Sequence, residues 1–507
     1  MKGLLPLAWN RCIIRFSNSI ARQKAALKLF KKLNMYKITI TNKIPANEIE
    51  ELIKMFVPKG EYELNVEEAL ANAQSFSVVF EEETISRPVT DFRQEDRPLA
   101  DKKELKNAIK RGIYTALGRH LGKSLPWGTL TGVKPGKIVR ELKEQGFSED
   151  QIRAHMKDYY YLSEEKTELL LEILHTQYPH TKPAAEKSAG IYLGIPFCPT
   201  RCVYCSFTSN IPKKDDVERY LAALYKEIEY VGSRMKQTGW RADSFYIGGG
   251  TPTTLSEGQL DDLLTKIFGE FDLSDCREFT VEAGRPDTIT FEKMKVIKDH
   301  GIDRISINPQ SMKQHTLDLI GRSHTPEEIL KAFETARSAG IGTINMDLIA
   351  GLPEEGPEDL MDTLEKVTAL RPENITIHTL ALKRASRLKM EDERYHLKHG
   401  EVLTDMVALS REYMKQSGYV PYYLYRQKYM AGNYENVGYC LPGKECLYNI
   451  RTMDEQETMI ALGAGGISKR YYSAETRIER SANVSNFEIY IDRIDEMLDR
   501  KYQLLFA

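Results

Sequence analysis

The sequence is short of several features that would each mark a particular class of protein. Its 7 cysteines among 507 residues are sparse and odd in number, unlike the disulfide framework of a secreted domain. It has no run of about 18 uninterrupted apolar residues, so no membrane-spanning helix is predicted. It lacks an excess of either charge, since 71 Lys and Arg balance 73 Asp and Glu, which argues against a nucleic-acid binder or a membrane-surface protein. What remains is a composition typical of a globular protein, with 41% apolar and 28% charged residues.

The first 34 residues stand apart from the rest of the chain. They carry eight Lys or Arg and no Asp or Glu, a pattern typical of an organellar transit peptide or of a start placed too early. The second interpretation is favoured, because a strand-like alternation over Tyr36–Thr41 follows Met35 directly. We therefore expect segment 1–34 to be a basic leader or an over-extended start, with the folded protein beginning near residue 35.

The rest of the chain is predicted to hold three regions, in keeping with roughly three domains for this length. Segment 35–185 is expected to be an α+β domain of unknown role, because strand-like and helical patterns occur there without a catalytic constellation. Segment 385–507 is expected to be a mainly helical region that covers the substrate. The few cysteines predict a reducing, cytoplasmic location, and a monomer is favoured.

Between these regions, segment 186–384 alternates short β-rich runs with stretches of helical periodicity. This order predicts parallel βα units, and six units suit a partial barrel rather than a closed eight-stranded one. The expected fold class is therefore α/β. The six β-rich runs are Ile191–Phe197, Ser244–Gly250, Glu278–Gly284, Arg304–Gln310, Thr343–Gly351 and Asn374–Leu382.

Polar residues and glycines cluster where these predicted strands end. In parallel βα folds the chemistry lies at the C-terminal ends of the strands, so we expect these residues to share one rim. The first strand ends in three clustered cysteines and the second in a glycine triplet. The residues at the following strand ends are Glu282, Gln310 and Asp347.

Cys198, Cys202 and Cys205 are spaced so that one loop can bring three thiolates to one metal centre. A [4Fe–4S] cluster usually takes four Cys, and three would leave one iron open to a ligand with amino and carboxylate groups. Structural zinc is the alternative, with Cys440 and Cys446 completing the site, although zinc more often uses a C-x2-C pair. The position at a strand end favours the cluster.

The triplet Gly248–Gly250 lies between a predicted strand and a predicted helix, where backbone groups can approach a small ligand closely. A phosphate site is the rival interpretation, but no Gly-Lys-Ser/Thr continuation follows. Four further residues together supply what an amino-acid nucleoside requires: a carboxylate for its ammonium, a guanidinium for its carboxylate, and partners for its ribose hydroxyls. The four are Glu282, Gln310, Arg322 and Asp347.

Several motifs occur in a fixed order: Tyr192-Leu-Gly-Ile-Pro-Phe-Cys198, then C-x3-C-x2-C, Gly248–Pro252, Pro309-Gln310-Ser311, Ile320-Gly-Arg322, Met346–Pro353 and Ala461–Ile467. They resemble the radical S-adenosylmethionine superfamily and, more narrowly, the oxygen-independent coproporphyrinogen III oxidase family. The long N-terminal region resembles the variant named coproporphyrinogen dehydrogenase. The resemblance implies a partial (β/α)6 radical-SAM barrel, a [4Fe–4S] cluster, and one or two molecules of S-adenosylmethionine.

Carried over residue by residue, the resemblance gives roles to individual positions. Cys198, Cys202 and Cys205 would hold the cluster. Contacts to one S-adenosylmethionine are implied for Tyr192, Gly249, Glu282 and Ile467. Contacts to a second molecule, in the enzyme that uses two, are implied for Tyr204, Gly250, Thr251, Gln310, Arg322, Asp347 and Ala381.

The resemblance also implies a reaction. The reduced cluster would cleave S-adenosylmethionine, and the 5′-deoxyadenosyl radical would remove hydrogen from a propionate side chain of coproporphyrinogen III. Loss of carbon dioxide and one electron leaves a vinyl group, and two rounds give protoporphyrinogen IX. The implied partners are this tetrapyrrole substrate and a reduced flavodoxin or ferredoxin as electron donor.

Two departures from the family pattern leave other functions open. Oxidases often carry another Cys where this chain has Phe207, and His378-Thr-Leu-Ala-Leu replaces the usual segment on the sixth strand. One alternative is a haem-binding chaperone with His378, Cys440 or Cys446 as an axial ligand, although a rim histidine and thiols on an ordered loop are the simpler interpretations. The other is a different radical enzyme acting on a tetrapyrrole, such as a haem-opening methyltransferase.

Overall fold

The computed structural model describes residues 36–41, 46–57, 60–67, 75–80, 83–88, 102–182, 185–205, 209–213, 215–381, 400–426 and 434–507. The predictions about segment 1–34, Met35 and Phe207 lie outside these residues. Two compact units are present: one contains the described residues up to Thr131 and Phe147–Glu168, and the other contains Gly132–Gly146 and Leu169–Ala507. In the described residues, no helix combines the length and the apolar character needed to cross a membrane.

Fifteen strands and fifteen α-helices account for the regular structure of the described residues. The strands are β1 (Tyr36–Thr41), β2 (Tyr62–Glu67), β3 (Ser75–Phe80), β4 (Glu83–Pro88), β5 (Ser188–Ile195), β6 (Arg241–Gly249), β7 (Glu278–Glu282), β8 (Arg304–Gln310), β9 (Thr343–Ala350), β10 (Asn374–Thr379), β11 (Val420–Arg426), β12 (Glu435–Cys440), β13 (Thr458–Leu462), β14 (Ile467–Tyr472) and β15 (Arg477–Ala482). The helices are α1 (Ala46–Phe56), α2 (Lys102–Leu121), α3 (Gly136–Glu144), α4 (Glu149–Tyr160), α5 (Glu164–Gln177), α6 (Asp216–Thr238), α7 (Glu257–Glu270), α8 (Phe291–Asp299), α9 (Gln314–Leu319), α10 (Pro326–Ser338), α11 (Pro357–Ala369), α12 (Gly400–Gln416), α13 (Leu447–Asp454), α14 (Phe487–Asp492) and α15 (Ile494–Lys501).

The first unit contains a four-stranded sheet in the order β2-β1-β3-β4. β1 runs parallel to β2 and antiparallel to β3. Ile38 and Ile40 of β1 are buried against apolar side chains of α1 and α2, among them Ile53, Ile109 and Ile113. The alternation that predicted a strand at Tyr36–Thr41 therefore reflects one buried face of this sheet.

The second unit is organised by an eleven-stranded sheet in the order β11-β12-β10-β9-β8-β7-β6-β5-β13-β14-β15. The strands β5 to β10 are adjacent in chain order and all parallel, which confirms the six predicted βα strands. In chain order a helix follows each of these six strands, and most residues of the strands are buried, as expected where both faces of a parallel sheet are covered. Among the described residues β11 and β15 do not pair with each other, so the sheet is open.

The C-terminal region, expected to be mainly helical, also contributes five strands to this sheet. β13 pairs parallel with β5, and β12 pairs antiparallel with β10, so the region extends the sheet on both sides of the six central strands. β13 is five residues long and buried throughout. A buried strand this short shows no period-2 alternation, and this is why its pattern in the sequence is weak.

N-terminal capping residues fix where two helices of the second unit, α7 and α10, begin. At α7 the Ser256 side chain accepts a hydrogen bond from Gln259 N, and the Gln259 side chain accepts one from Ser256 N. Thr325 caps α10 in the same way, with Pro326 at its first position. Both capping boxes satisfy backbone donors that a helix leaves open, so each helix starts directly after its strand and loop.

A buried carboxylate on α6 connects the central strands to the C-terminal region. Glu227 accepts hydrogen bonds from Gly463 N at 2.7 Å, Asn483 Nδ2 at 2.8 Å and Tyr490 OH at 2.6 Å. Lys501 Nζ lies 2.6 Å from the same carboxylate, and neither side chain is more than 2% exposed. One charged group thus holds together a helix, a strand end and the last two helices.

Two turns earlier on α6, Tyr220 continues this connection to the strand that leads to the cysteines. Its hydroxyl donates to Gly194 O of β5 at 2.6 Å and accepts from Ala464 N at 3.1 Å. Gly463, at φ +85°, lies so close that a Cβ there would be 2.5 Å from Gly194 O. The turn after β13 is therefore fixed against the strand that leads to Cys198.

Replacing Lys501 with Met is expected to destabilise the second unit, because Glu227 is left as a buried carboxylate without its cation. Removal of one partner from a buried ion pair costs about 3–5 kcal/mol. Urea unfolding followed by circular dichroism would measure the loss. Lys295→Met is the matched control, since Lys295 and Asp299 form an exposed pair, and such pairs contribute about 0–1 kcal/mol. Equal losses in the two variants would contradict the role given to Lys501.

The same carboxylate gives a pH dependence of stability. Burial alone would raise the pKa of Glu227, but Lys501 and the hydrogen bonds outweigh it, and the pKa is lowered. A lowered carboxyl pKa contributes stability above the pKa of the unfolded chain, and this stability is lost as pH falls through the folded pKa. We expect the urea midpoint of the parent protein to decrease as the pH is lowered below about 4. We expect a smaller decrease in Lys501→Met.

Candidate active site at the ends of the parallel strands

The C-terminal ends of the parallel strands open into one cavity of about 400 Å³. All the predicted site residues except Ile467 line it, which brings together residues from five strand ends and the cysteine loop. Ile467 opens β14 and is 50% exposed, outside this lining. The predicted residues that line the cavity are Tyr192, Cys198, Cys202, Tyr204, Cys205, Gly249, Gly250, Thr251, Glu282, Gln310, Arg322, Asp347 and Ala381.

The cysteine loop is closed by its own backbone. Cys198 N donates to Asn210 O at 3.0 Å, and Asn210 N donates to Pro196 O at 2.9 Å, so the two ends of the loop meet. In the middle, Val203 N donates to Ile320 O at 3.1 Å. The loop is thereby held with all three cysteines on the wall of the same cavity.

The glycine triplet lies directly against this loop. Gly250 N donates to Ile195 O and Thr251 N donates to Phe197 O, each at 2.7 Å. A Cβ on Gly250 would lie 2.5 Å from Phe197 O and 3.0 Å from Cys198 Sγ, and no side chain fits there. The sequence pattern predicted close approach of backbone to a ligand, and the structure shows that the glycines also allow close approach to the cysteines.

Two carboxylates line the same cavity, and their surroundings differ. Glu282 accepts a hydrogen bond from Tyr246 OH at 2.7 Å, and burial raises the pKa of Glu282 to about 7. Asp347 accepts from Asn345 Nδ2 at 2.7 Å, with His378 Nε2 at 3.5 Å. Burial alone would raise the pKa of Asp347, but His378 and Asn345 outweigh it, and the pKa is lowered. The cavity therefore holds one carboxylate that titrates near neutrality and one that stays ionised.

The guanidinium of Arg322 joins the cysteine loop to strands β7 and β8. It donates to Gly284 O at 3.1 Å, to Asn308 O at 2.9 Å and to Tyr204 OH at 3.0 Å. Its Nε and the Oε1 atom of Gln310 are buried without a hydrogen-bond partner among the described residues. Gln310 also has a left-handed backbone, with φ +71°. Buried polar atoms left open beside a cavity suit a polar ligand that the cavity would take up.

The residues fit the cofactors that the resemblance implies. Three thiols share one wall, and burial raises the pKa of Cys198, with the Thr251 hydroxyl 3.5 Å from its sulfur opposing that shift. A buried thiol of this kind becomes a thiolate readily only when a metal is bound to it. The open polar atoms of Gln310 and Arg322 and the carboxylates Glu282 and Asp347 match a ligand with ammonium, carboxylate and hydroxyl groups.

Sequence reasoning missed a second group of lining residues. Tyr246 lies two residues before Gly248 on the same face of β6, and its ring stacks on Tyr448 with centroids 4.4 Å apart. The period of the strand could have predicted Tyr246, whereas residues from β11 and α13 come from segments with no motif. The missed residues include Tyr246, Arg285, Asn308, Tyr423, Tyr425, Tyr448, Asn449, Thr452 and Met453.

The other candidate ligands lie outside the cavity or already face hydrogen-bonding partners. Cys440 and Cys446 are buried in a cluster with Tyr422 and Ile450 and do not line the cavity. The zinc alternative, which needs them beside the clustered cysteines, therefore gains no support from the geometry. His378 does line the cavity, but its Nδ1 lies 3.2 Å from Tyr425 OH and its Nε2 faces Asp347.

Replacing Cys202 with Ser is expected to abolish the brown absorbance of the anaerobically reconstituted protein, because a [4Fe–4S] cluster needs its thiolate ligands. Iron and sulfide analysis would measure the loss. Cys276→Ser is the matched control, since Cys276 donates to Glu278 O, a contact that a serine hydroxyl can keep, and it lies outside this cavity. Full iron and sulfide content in Cys202→Ser would contradict the cluster assignment.

Binding of S-adenosylmethionine is expected to weaken several-fold from pH 7.5 to pH 6. The pKa of Glu282 is about 7, so the carboxylate that would attract the ligand's ammonium becomes neutral over this range. Equilibrium dialysis on the reconstituted protein would measure the change. Glu282→Gln is expected to bind weakly at both pH values, and an unchanged pH dependence in this variant would remove Glu282 from the site.

Comparison with known proteins agrees with this site. The model of the radical SAM superfamily matches residues 192–367, which contain the cysteine loop and the ends of strands β5 to β9. The crystal structure of coproporphyrinogen III oxidase (HemN) from Escherichia coli superposes with a TM-score of 0.50 at 22% identity, covering 63% of this chain and 72% of that one. At this identity the likeness shows a shared fold.

Relatives of known name extend the match along the chain. The oxygen-independent coproporphyrinogen-III oxidase-like protein HemZ of Bacillus subtilis is 40% identical over 408 residues, covering 80% of this chain and 81% of that protein. The heme chaperone HemW of the same organism is 31% identical over 308 residues, covering 60% of this chain and 76% of that protein. The chain therefore belongs to the radical S-adenosylmethionine superfamily and, within it, to the oxygen-independent coproporphyrinogen III oxidase family that includes HemZ.

Proposed function

We propose that this chain is a radical S-adenosylmethionine enzyme that decarboxylates coproporphyrinogen III to protoporphyrinogen IX without oxygen. One observation supports the radical chemistry: a single cavity of about 400 Å³ is lined by the cysteine loop, the glycine triplet and the polar strand ends. The choice of substrate draws on the likeness to HemZ over most of the chain.

Several of the predicted site residues have a part in this proposal. Cys198, Cys202 and Cys205 would hold the cluster, with its fourth iron open to the amino and carboxylate groups of S-adenosylmethionine. Together the bound cluster and S-adenosylmethionine supply hydrogen-atom abstraction, a chemistry that no side chain can provide. Glu282 would accept a hydrogen bond from that amino group, and Asp347 would bind ribose hydroxyls. These roles, and the contacts of Ile467 and Ala381 to the cofactor, stay predictions.

The tyrosines of the cavity would shield the reacting groups from water. Tyr192, Tyr246 and Tyr448 stack on one another at the end of β5 and β6, and Tyr423 stacks with Tyr425 on the side of β11. Their rings present apolar faces, which suit a flat substrate. A radical formed in such a site has few water molecules to react with.

The reaction balances as one hydrogen atom, one carbon dioxide and one electron for each propionate. Each round would consume one S-adenosylmethionine and one reducing electron and leave methionine and 5′-deoxyadenosine, which carries the hydrogen atom. The carbon–carbon bond to the carboxylate would break to release carbon dioxide, and the remaining electron would pass to a one-electron acceptor as the vinyl group forms. Two such rounds give the product. A reduced flavodoxin or ferredoxin is the proposed source of the reducing electron, and a reducing cytoplasm suits three unoxidised cysteines.

A haem chaperone is the second candidate, favoured by the identity to HemW of Bacillus subtilis, which covers 76% of that protein. Residues for an axial haem bond are scarce in this cavity, however. Both ring nitrogens of His378 face hydrogen-bonding partners, and Cys440 and Cys446 are buried outside the lining. A haem iron bound here would have to displace Tyr425 or Asp347 from His378.

We expect the reconstituted protein, reduced anaerobically with S-adenosylmethionine and coproporphyrinogen III, to form protoporphyrinogen IX. Two molecules of 5′-deoxyadenosine are expected for each product, because each propionate loses one hydrogen atom. Chromatography with mass detection would measure both. The Cys202→Ser protein is the control for chemistry that does not need the cluster.

The outcomes separate the candidate functions. Deoxyadenosine without protoporphyrinogen would keep the radical chemistry and reject this substrate, leaving another tetrapyrrole reaction to be sought by product mass. Absence of both, with a new visible absorption band on addition of haem, would favour the chaperone. If that band disappeared in His378→Ala, His378 would be the axial ligand.

A further inference from the structure

Arg285 is a buried cation beside the cysteine loop that no sequence motif singled out. It follows β7 by three residues, its side chain is 3% exposed, and it lines the cavity. Its Nη1 donates to Thr200 Oγ1 at 2.8 Å and lies 3.9 Å from Cys202 Sγ, within reach of a weak N–H···S hydrogen bond. A guanidinium thus faces one of the three proposed cluster ligands directly.

The position of this guanidinium is fixed from its other side. Its Nε and Nη2 donate to the two oxygens of Asp287 at 3.0 Å each, and Nη2 also donates to Ser323 Oγ at 3.0 Å. A bidentate pair of this kind holds the plane of the guanidinium as well as its distance. Arg322 secures the preceding residue by donating to Gly284 O at 3.1 Å. Arg285 therefore has little freedom to turn away from the cysteine.

The two charges of the Arg285–Asp287 pair differ in their exposure to solvent. The side chain of Asp287 is 24% exposed and partly screened by water, whereas that of Arg285 is 3% exposed and faces the cysteine loop. At Cys202 the nearer and less screened charge is the positive one. A second buried guanidinium, that of Arg322, lines the same cavity, interacts electrostatically with Cys202 and adds to the positive potential.

We propose that Arg285, held by Asp287, is a positioning residue that raises the reduction potential of the cluster bound by Cys198, Cys202 and Cys205. The inference rests on the cluster of the proposed function and not on the identity of the substrate. Three thiolates give the site a negative charge, and reduction adds another. A fixed cation and a hydrogen bond to one sulfur stabilise that added charge, which makes reduction easier.

Because Arg285 and Asp287 carry opposite charges, the proposal predicts that neutralising each of them shifts the midpoint potential of the cluster in opposite directions. Arg285→Gln removes the cation, so the midpoint potential of the reconstituted protein is expected to become more negative. Asp287→Asn removes the partly screened anion and keeps the cation, so the midpoint is expected to become less negative. A redox titration with dithionite, followed by electron paramagnetic resonance in the absence of S-adenosylmethionine and substrate, measures both.

A matched control is available at the other end of the same strand. Arg277 forms a bidentate pair with Asp243, at 2.8 and 2.6 Å, outside the lining of this cavity. Arg277→Gln is expected to leave the midpoint unchanged. Competition with an iron chelator provides a second readout, in which Arg285→Gln is expected to retain iron about tenfold less strongly, as for loss of an outer partner of a metal ligand.

Shifts of opposite sign in Arg285→Gln and Asp287→Asn support the proposal. A midpoint of Arg285→Gln equal to that of Arg277→Gln overturns it, as do shifts of the same sign in both site variants, because these would indicate loosened packing. If Arg285→Gln retains no cluster, the sign of the Asp287→Asn shift decides. The parent protein loading no cluster would instead reject the proposed function, so the two failures are distinguishable.

Discussion

The site depends on the close approach of two backbone segments, the glycine triplet at the end of β6 and the cysteine loop after β5. Two hydrogen bonds of 2.7 Å join them, and the space between Gly250 and Cys198 Sγ leaves no room for a side chain. Because this contact aligns the loop with the strand ends, the sulfurs, the carboxylates and the guanidinium of Arg322 meet in one cavity. A larger residue at position 250 would push the cysteine loop away from the polar strand ends.

The sequence predicted the six central strands and the helices after them, because their apolar runs and loop residues repeat at one spacing. It also predicted thirteen of the residues that line the cavity, since parallel strands place their C-terminal ends on one edge. The strands of the C-terminal region were not predicted. β13 pairs with β5, which lies far from it in the sequence, and a short buried strand carries no period that would indicate its partner.

The same reason explains which site residues were found and which were not. Residues attached to motifs, such as Cys202 and Glu282, could be read from local pattern. Tyr425 and Tyr448 come from segments whose position is set by long-range pairing, and Arg285 looks like an ordinary surface arginine until its burial is known. Local sequence therefore describes what the cofactors need, whereas tertiary packing decides what surrounds them.

The carboxylate of Glu227 has a consequence for the order in which the protein is made. Tyr490, one of its partners, lies 263 residues later in the chain, and the turn at Gly463 that it fixes is also synthesised long after Cys198. The cysteine loop and the six parallel strands thus leave the ribosome before the residues that wall them in.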